Sequence, residues 1–289
     1  MRTLSLTASL ALALFACNGD KTDSAGTDGT DGTAADGSDG ADGTSADGAD
    51  GASDGADGTE AITFTIEGTA VNFDNPTAPA AEGLCVEILD PTNVLTGGDP
   101  VVVSETTVGA GGAYTATDVP VVSLGLFAQF RDCDGGADTV FPSANGISSG
   151  SYSDVSDGDT VGGLTHLVLT NGVAEGVQGS LVAAGYTGDI AADGMVIGFL
   201  WDNARQPIDG AIMTCGSCVV YYADGDPSDG LFTTDGSVNT GASVAGGGMF
   251  AVPSAQLTTY APEAAGYTFS SSPLAALPAA AVVVAFTAE

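Results

Sequence analysis

From Ala61 onward the chain is written in short apolar runs separated by turn residues. Ile62-Thr63-Phe64-Thr65-Ile66 alternates apolar and polar side chains, the period of two that sends one face of a strand into a core and the other into water. Comparable runs follow at Leu84–Leu89, Val101–Val103, Leu124–Phe130, Leu164–Leu169, Val196–Trp201, Val219–Tyr222, Met249–Val252 and Val282–Phe286. Clusters of Gly, Asp, Asn, Pro and Ser fill the intervals and supply the backbone angles and local hydrogen bonds that turns require. No helices alternate regularly with these strands, so the pattern predicts antiparallel sandwiches rather than a parallel α/β sheet. One stretch departs from it. Val173, Val177, Leu181 and Val182 fall near helical spacing, which predicts a short helix or ordered connector, against the cost of Gly176 and Gly179.

The signals also recur. In the second half Gln206-Pro207-Ile208-Asp209-Gly210-Ala211-Ile212 enters a strand, and Gly247-Gly248-Met249-Phe250-Ala251-Val252-Pro253 follows. In the first half Pro79-Ala80-Ala81-Glu82-Gly83-Leu84-Cys85-Val86 is followed by Gly111-Gly112-Ala113-Tyr114-Thr115-Ala116, with Val119-Pro120 soon after. Glycine turns the chain at positive φ, and the aromatic that follows is placed to enter a sandwich core. This order of motifs resembles the carboxypeptidase regulatory-like, or transthyretin-like, β-sandwich modules. The resemblance spans about Met195–Glu289 and, more loosely, Ala61–Thr170, where no Ala follows Gly83. It implies non-catalytic modules of about seven strands that stabilise, space or bind, and it brings no catalytic residue. The expected fold is all-β: two tandem antiparallel β-sandwich (transthyretin/Ig-like) domains at 61–171 and 194–289, a connector at 172–193, and a disordered N-terminal tether before them.

Residues 1–16 carry Arg2 and an apolar run through Leu4, Leu6, Leu10, Leu12, Leu14 and Phe15, too short to span a bilayer and of the length of a signal-peptide core. The run ends Leu14-Phe15-Ala16-Cys17, which resembles a bacterial lipobox. The resemblance implies that Cys17 becomes the acylated first residue of a lipoprotein held at the membrane by its acyl chains, each buried CH₂ contributing about 0.8 kcal/mol. An ordinary signal peptide with a cysteine by chance is the alternative. Asn18, rather than Asp, follows Cys17 and favours an outer-membrane or surface position.

Residues 18–60 contain 11 Asp and 11 Gly, with no apolar residue larger than Ala. Nothing there offsets the entropy of ordering the backbone, so disorder is expected. A neutral Gly-rich coil of this length spans roughly 35 Å, and its charge extends it further. Asp-Gly repeats also occur in calcium-loaded repeat folds, but those need hydrophobic positions to stack, and this segment has none.

Charge narrows the choice of partners. With 37 Asp plus Glu against 4 Lys plus Arg, the chain carries a formal −33, which excludes nucleic acid and charge-driven binding to an anionic bilayer. Twenty-five of the acids lie beyond residue 60, where the cations are Arg131 and Arg205. The folded part is therefore self-repelling, which points to a saline or calcium-containing medium.

Candidate chemistry is sparse. Cys85, Cys133, Cys215 and Cys218 make an even set in an oxidising compartment, allowing three pairings. Cys85 with Cys133 lies within one predicted domain, and Cys215 with Cys218 would pair across a turn; free thiols, a redox pair or half a zinc site are the alternatives. Acidic loops occur at Asp132, Asp134 and Asp138, at Asp154, Asp157 and Asp159, and at Asp224, Asp226 and Asp229. The last group has oxygen ligands at the spacing that starts a calcium loop, but no distal Glu, so a solvated turn competes with a calcium site; no other cofactor is expected. His166, the chain's one histidine, reads as a strand-surface residue, and no Gly-x-Ser-x-Gly elbow accompanies it. Trp201 with Tyr221 and Tyr222 could form a ligand platform, though core packing is the plainer use of the tryptophan.

These features predict a non-catalytic, lipid-anchored cell-envelope protein that displays β-sandwiches on an acidic stalk for structural or adhesive work, partnered by the membrane and by an envelope component or glycan. The alternatives are a calcium- or carbohydrate-binding surface module and a carboxylate-dependent hydrolase.

Overall fold

The computed structural model describes residues 61–135, 139–208, 210–223, 248–254 and 256–288. The signal segment, Cys17, the tether and the loop bearing Asp224, Asp226 and Asp229 lie outside them.

The first half supplies β1 (Thr63–Asn72), β2 (Cys85–Asp90), β3 (Val101–Thr107), β4 (Ala113–Pro120), β5 (Leu126–Arg131), β6 (Val140–Phe141), β7 (Ser143–Ile147) and β8 (Thr160–Thr170). After helices α1 (Asn171–Ala183) and α2 (Ile190–Asp193) come β9 (Met195–Trp201), β10 (Ile212–Thr214), β11 (Tyr221–Tyr222), β12 (Met249–Val252), β13 (Thr258–Glu263), β14 (Ser272–Leu274) and β15 (Ala281–Thr287). A four-stranded sheet of order β4-β1-β8-β6 and a three-stranded sheet of order β10-β13-β14 pack on an eight-stranded sheet of order β11-β12-β9-β15-β7-β5-β2-β3. The fold is thus two tandem β-sandwiches, joined edge to edge where β7 meets β15.

The two halves use the same wiring. β4-β1-β8 in the first corresponds to β12-β9-β15 in the second: an antiparallel pair, then a parallel one. The sheets are therefore mixed, a correction to the wholly antiparallel expectation. In each half the last strand returns beside the first in the same direction, a pairing set by long-range contact that leaves no local sequence mark.

The repeat extends to single residues. Tyr114 stands opposite Gly68 and Phe250 opposite Gly198, and a Cβ on either glycine would run into the facing ring. Two residues before each aromatic, Gly112 (φ 81°) and Gly248 (φ 54°) turn the chain against the carbonyls of Ala70 and Leu200. Those same carbonyls accept from Ala80 N at 2.9 Å and from Ile208 N at 3.0 Å. Pro79 bridges to Val71 as Pro207 does to Trp201. The aromatic fills the space that its opposite glycine leaves, so each pair acts as a single packing unit.

Three cores result. One lies inside the first sandwich, around Phe64, Ile66, Val86, Ile88, Tyr114 and Phe130. Another fills the second sandwich, around Leu200, Tyr222, Phe250, Tyr260 and Phe286. The third joins the outer faces of β8 and β9 beneath α1, with Leu167, Leu169, Val177, Leu181, Ile197 and Trp201. β9 is buried at every position because it faces two cores. α1 starts at Thr170, whose side chain accepts from Val173 N at 3.3 Å, an N-cap that satisfies one free amide of the first turn.

The edge of β8 next to β7 is closed by side chains. Asn145 accepts from Leu167 N at 2.9 Å and donates to Leu167 O at 3.0 Å, so a single amide stands in for a neighbouring strand. The hydroxyl of Ser143 accepts from Leu169 N at 3.4 Å in the same way. Both side chains are buried, and both find partners there.

Candidate functional site

Each half has its own sulfur pair. Cys85 at the start of β2 is bonded to Cys133 in the turn after β5, with Cα atoms 4.9 Å apart, and Cys215 is bonded to Cys218 across a turn, with Cα atoms 5.5 Å apart. A bonded pair offers no thiolate, so neither is free to ligate a metal in this state. Beside the first pair, Arg131 holds the buried Glu87 through its Nε, 2.9 Å from Oε1, and through Nη2. Its remaining nitrogen, Nη1, donates to Asp132 O at 3.1 Å.

Asp132, Asp157 and Asp159 of the acidic loops serve the backbone. Asp132 accepts from Thr139 N and Val140 N at 3.0 and 3.2 Å. Asp157 accepts from Thr63 N at 3.0 Å, and Asp159 from Ser156 N at 2.7 Å. Asp132 and Asp159 close their own loops, whereas Asp157 ties its loop to the start of β1. Among the described residues no three His, Cys, Asp or Glu side chains gather closely enough to hold a metal ion. The calcium candidates Asp224, Asp226 and Asp229, Asp138, and the lipidation candidate Cys17 fall outside the described residues.

His166 is not on the surface. It is 3% exposed, with its ring centroid 5.7 Å from those of Tyr114 and Phe130, and its Nε2 has no hydrogen-bond partner. The expectation of a surface histidine fails because β8 is covered twice: by the eight-stranded sheet on the face of Leu164, His166 and Val168, and by α1 and β9 on the face of Leu167 and Leu169. Burial lowers the imidazole pKa from 6.5 to about 4. Trp201 is likewise internal, 6% exposed and with its ring centroid 4.9 Å from that of Phe199. Tyr222 turns to the opposite face, where its hydroxyl accepts from Met213 N at 2.7 Å. Trp201, Tyr221 and Tyr222 therefore form no platform.

The concave surface that does exist has no single motif behind it. β7 and β15 pair through three residues, Ser143–Asn145 with Ala281–Val283, and then part, while β15 continues along β9 to Thr287. The gap opens a cleft of about 370 Å³ at the junction of the sandwiches, walled by 145–149 and 164–166 on one side and by 270–272 and 283–287 on the other, with Leu126 and Phe127 beneath. A second, apolar hollow of about 280 Å³ adjoins it, lined by Leu89, Val94, Leu95, Leu124, Phe127 and Leu277 among others. Junctions between packed units are common places for ligands.

No protein-family model matches the chain, and no curated protein matches it in sequence. Among solved structures, the Bacillus anthracis TIE protein is 12% identical over 79% of this chain, which spans 34% of that protein's length, with a TM-score of 0.24. The shaft pilin SpaA of Lactobacillus rhamnosus GG is 10% identical over 79% of this chain and 98% of its own, also at 0.24. The minor pilin GBS52 of Streptococcus agalactiae is 10% identical over 78% of this chain and 95% of its own, at 0.22. Superposition at such scores is poor, and the fold stands on its own strand order.

Proposed function

We propose that this chain is a non-catalytic, lipid-anchored protein of the cell envelope, which holds a rigid pair of transthyretin-like β-sandwiches away from the membrane on an acidic stalk for structural or adhesive work. The observation that carries the reading is the continuous eight-stranded sheet. It runs through both sandwiches, Asn145 ties it to β8, and each half holds one bonded cysteine pair. Such a body suits display or load-bearing. The anchor rests on Leu14-Phe15-Ala16-Cys17, and the stalk on the Asp-Gly run that follows. Among the described residues no helix is long and apolar enough to cross a membrane.

Metabolic labelling with a palmitate analogue tests the anchor. The native chain should take up label and sediment with membranes, and Cys17→Ala should lose both. An unlabelled native chain, or a Cys17→Ala variant that stays membrane-bound, overturns it. Protease added to intact cells then reports display, since cleavage within 18–60 releases the folded part only if it faces outward.

A further inference from the structure

The cleft between β7 and β15 bears none of the chain's charge. Among the described residues no Asp, Glu, Lys or Arg lines it, although charged residues make up 14% of the sequence. Its walls carry hydroxyl residues instead: Ser148, Ser149 and Thr165 from the first sandwich, Ser271 and Ser272 from the second. The phenyl rings of Phe127 and Phe286 complete the lining. Two polar atoms behind this lining lie out of reach of solvent and have no hydrogen-bond partner. His166 is almost wholly buried with Nε2 unpartnered, and the Thr287 hydroxyl oxygen is buried without a partner.

These properties select a ligand class. An anion would enter against the field of a strongly acidic protein. A divalent cation would need carboxylate or several carbonyl oxygens, and no carboxylate is present. A purely apolar guest would strand the hydroxyls of both walls. A neutral guest that both donates and accepts hydrogen bonds and has apolar faces for the rings fits all three constraints. A volume of about 370 Å³ is at the small end of the range of ligand sites, room for one or two sugar rings.

We infer that the inter-sandwich cleft is a binding site for a neutral, polyhydroxylated ligand of the mono- or disaccharide class. The ligand's hydroxyls meet the hydroxyls of the two walls, and its carbon faces lie against Phe127 and Phe286. The site requires both sandwiches, because the strands that part to form it come from different halves. It does not depend on the anchor, whose test reads Cys17 labelling and leaves the cleft untouched.

NMR on the full chain tests this, with the imidazole of His166 as its single histidine probe. Glucose, galactose, mannose, N-acetylglucosamine and their common disaccharides are titrated one at a time, with a neutral Ser/Gly/Thr pentapeptide in parallel. At least one sugar should shift the His166 resonances saturably. Ala285→Trp and Ser271→Trp, made at exposed positions on opposite walls, should each raise the apparent Kd roughly tenfold or more while leaving the fold's spectrum intact. Three results overturn the inference: no sugar moves His166, a sugar binds equally well to both Trp variants, or the pentapeptide alone binds.

Discussion

His166 makes the stability of the fold depend on pH in a calculable way. In the folded chain the imidazole takes up a proton only near pH 4, because burial between Tyr114 and Phe130 removes the water that would solvate the cation. In the unfolded chain it does so near 6.5. Above 6.5 both states hold it neutral, and it contributes nothing to the pH dependence. As the pH falls below 6.5 the unfolded state gains the proton first, so folding stability is lost across the window from 6.5 to 4. The loss amounts to about 2 kcal/mol at pH 5 and about 3 kcal/mol once the pH is below 4. The acidic groups complicate a single curve, because protonating them relieves self-repulsion. A comparison with His166→Phe removes that complication, since the variant keeps every carboxylate and places a ring of similar size that cannot take a proton. Urea denaturation of both proteins at half-unit steps from pH 7.5 to 4.5 gives the difference directly. The native chain should lose ground to the variant by about 2 kcal/mol between pH 7 and 5. Curves that stay parallel over that interval would refute the account of a neutral, desolvated imidazole.

Other expectations use the same denaturation assay. Gly198→Ala should destabilise by about 2 kcal/mol or more, because its methyl meets the ring of Phe250, whereas Gly176→Ala in α1, with open space around it, should stabilise by up to about 1 kcal/mol. Replacing Cys85 and Cys133 by Ser opens a loop of 48 residues and should cost about 4 kcal/mol, with the unchanged Cys215–Cys218 pair as internal control. Asn145→Leu keeps the volume but strands both the amide and the carbonyl of Leu167, a loss of about 2–4 kcal/mol that Ser143→Ala should not approach.

The sequence shows the parts of this fold whose side chains obey a simple two-sided rule. The alternation of Ile62–Ile66 and the apolar runs of β2, β5, β9 and β12 mark strands, and the Gly-Gly-x-aromatic motif marks the aromatic that enters each core. β7 is invisible by the same rule. Ser143 and Asn145 are buried to pair with the backbone of β8, so a core-facing position looks polar. β13 and β14 contain Pro262 and Pro273, which suppress a strand signal. His166 reads as a surface residue because alternation assumes one wet face, and β8 has none. Gly68 and Gly198 were available as clues, since a glycine inside a strand signals close approach by a neighbour. The cleft left no trace at all. It arises where two strands some 140 residues apart stop pairing, and no local window contains both.

Of the strands described, β15 is last in chain order, yet it holds the middle of the eight-stranded sheet between β9 and β7. A chain that leaves the ribosome N-terminus first can complete the first sandwich as soon as β8 emerges. The second must wait with its central slot empty until residues 281–287 arrive, and only then do the two halves become one sheet. Until that moment β9 and the facing edge of β7 are open templates, exposed to any passing strand. The order of emergence thus makes β15 a closing bolt. A chain truncated before Ala281 would be left with an intact first half, an unsatisfied second half and a strong tendency to aggregate.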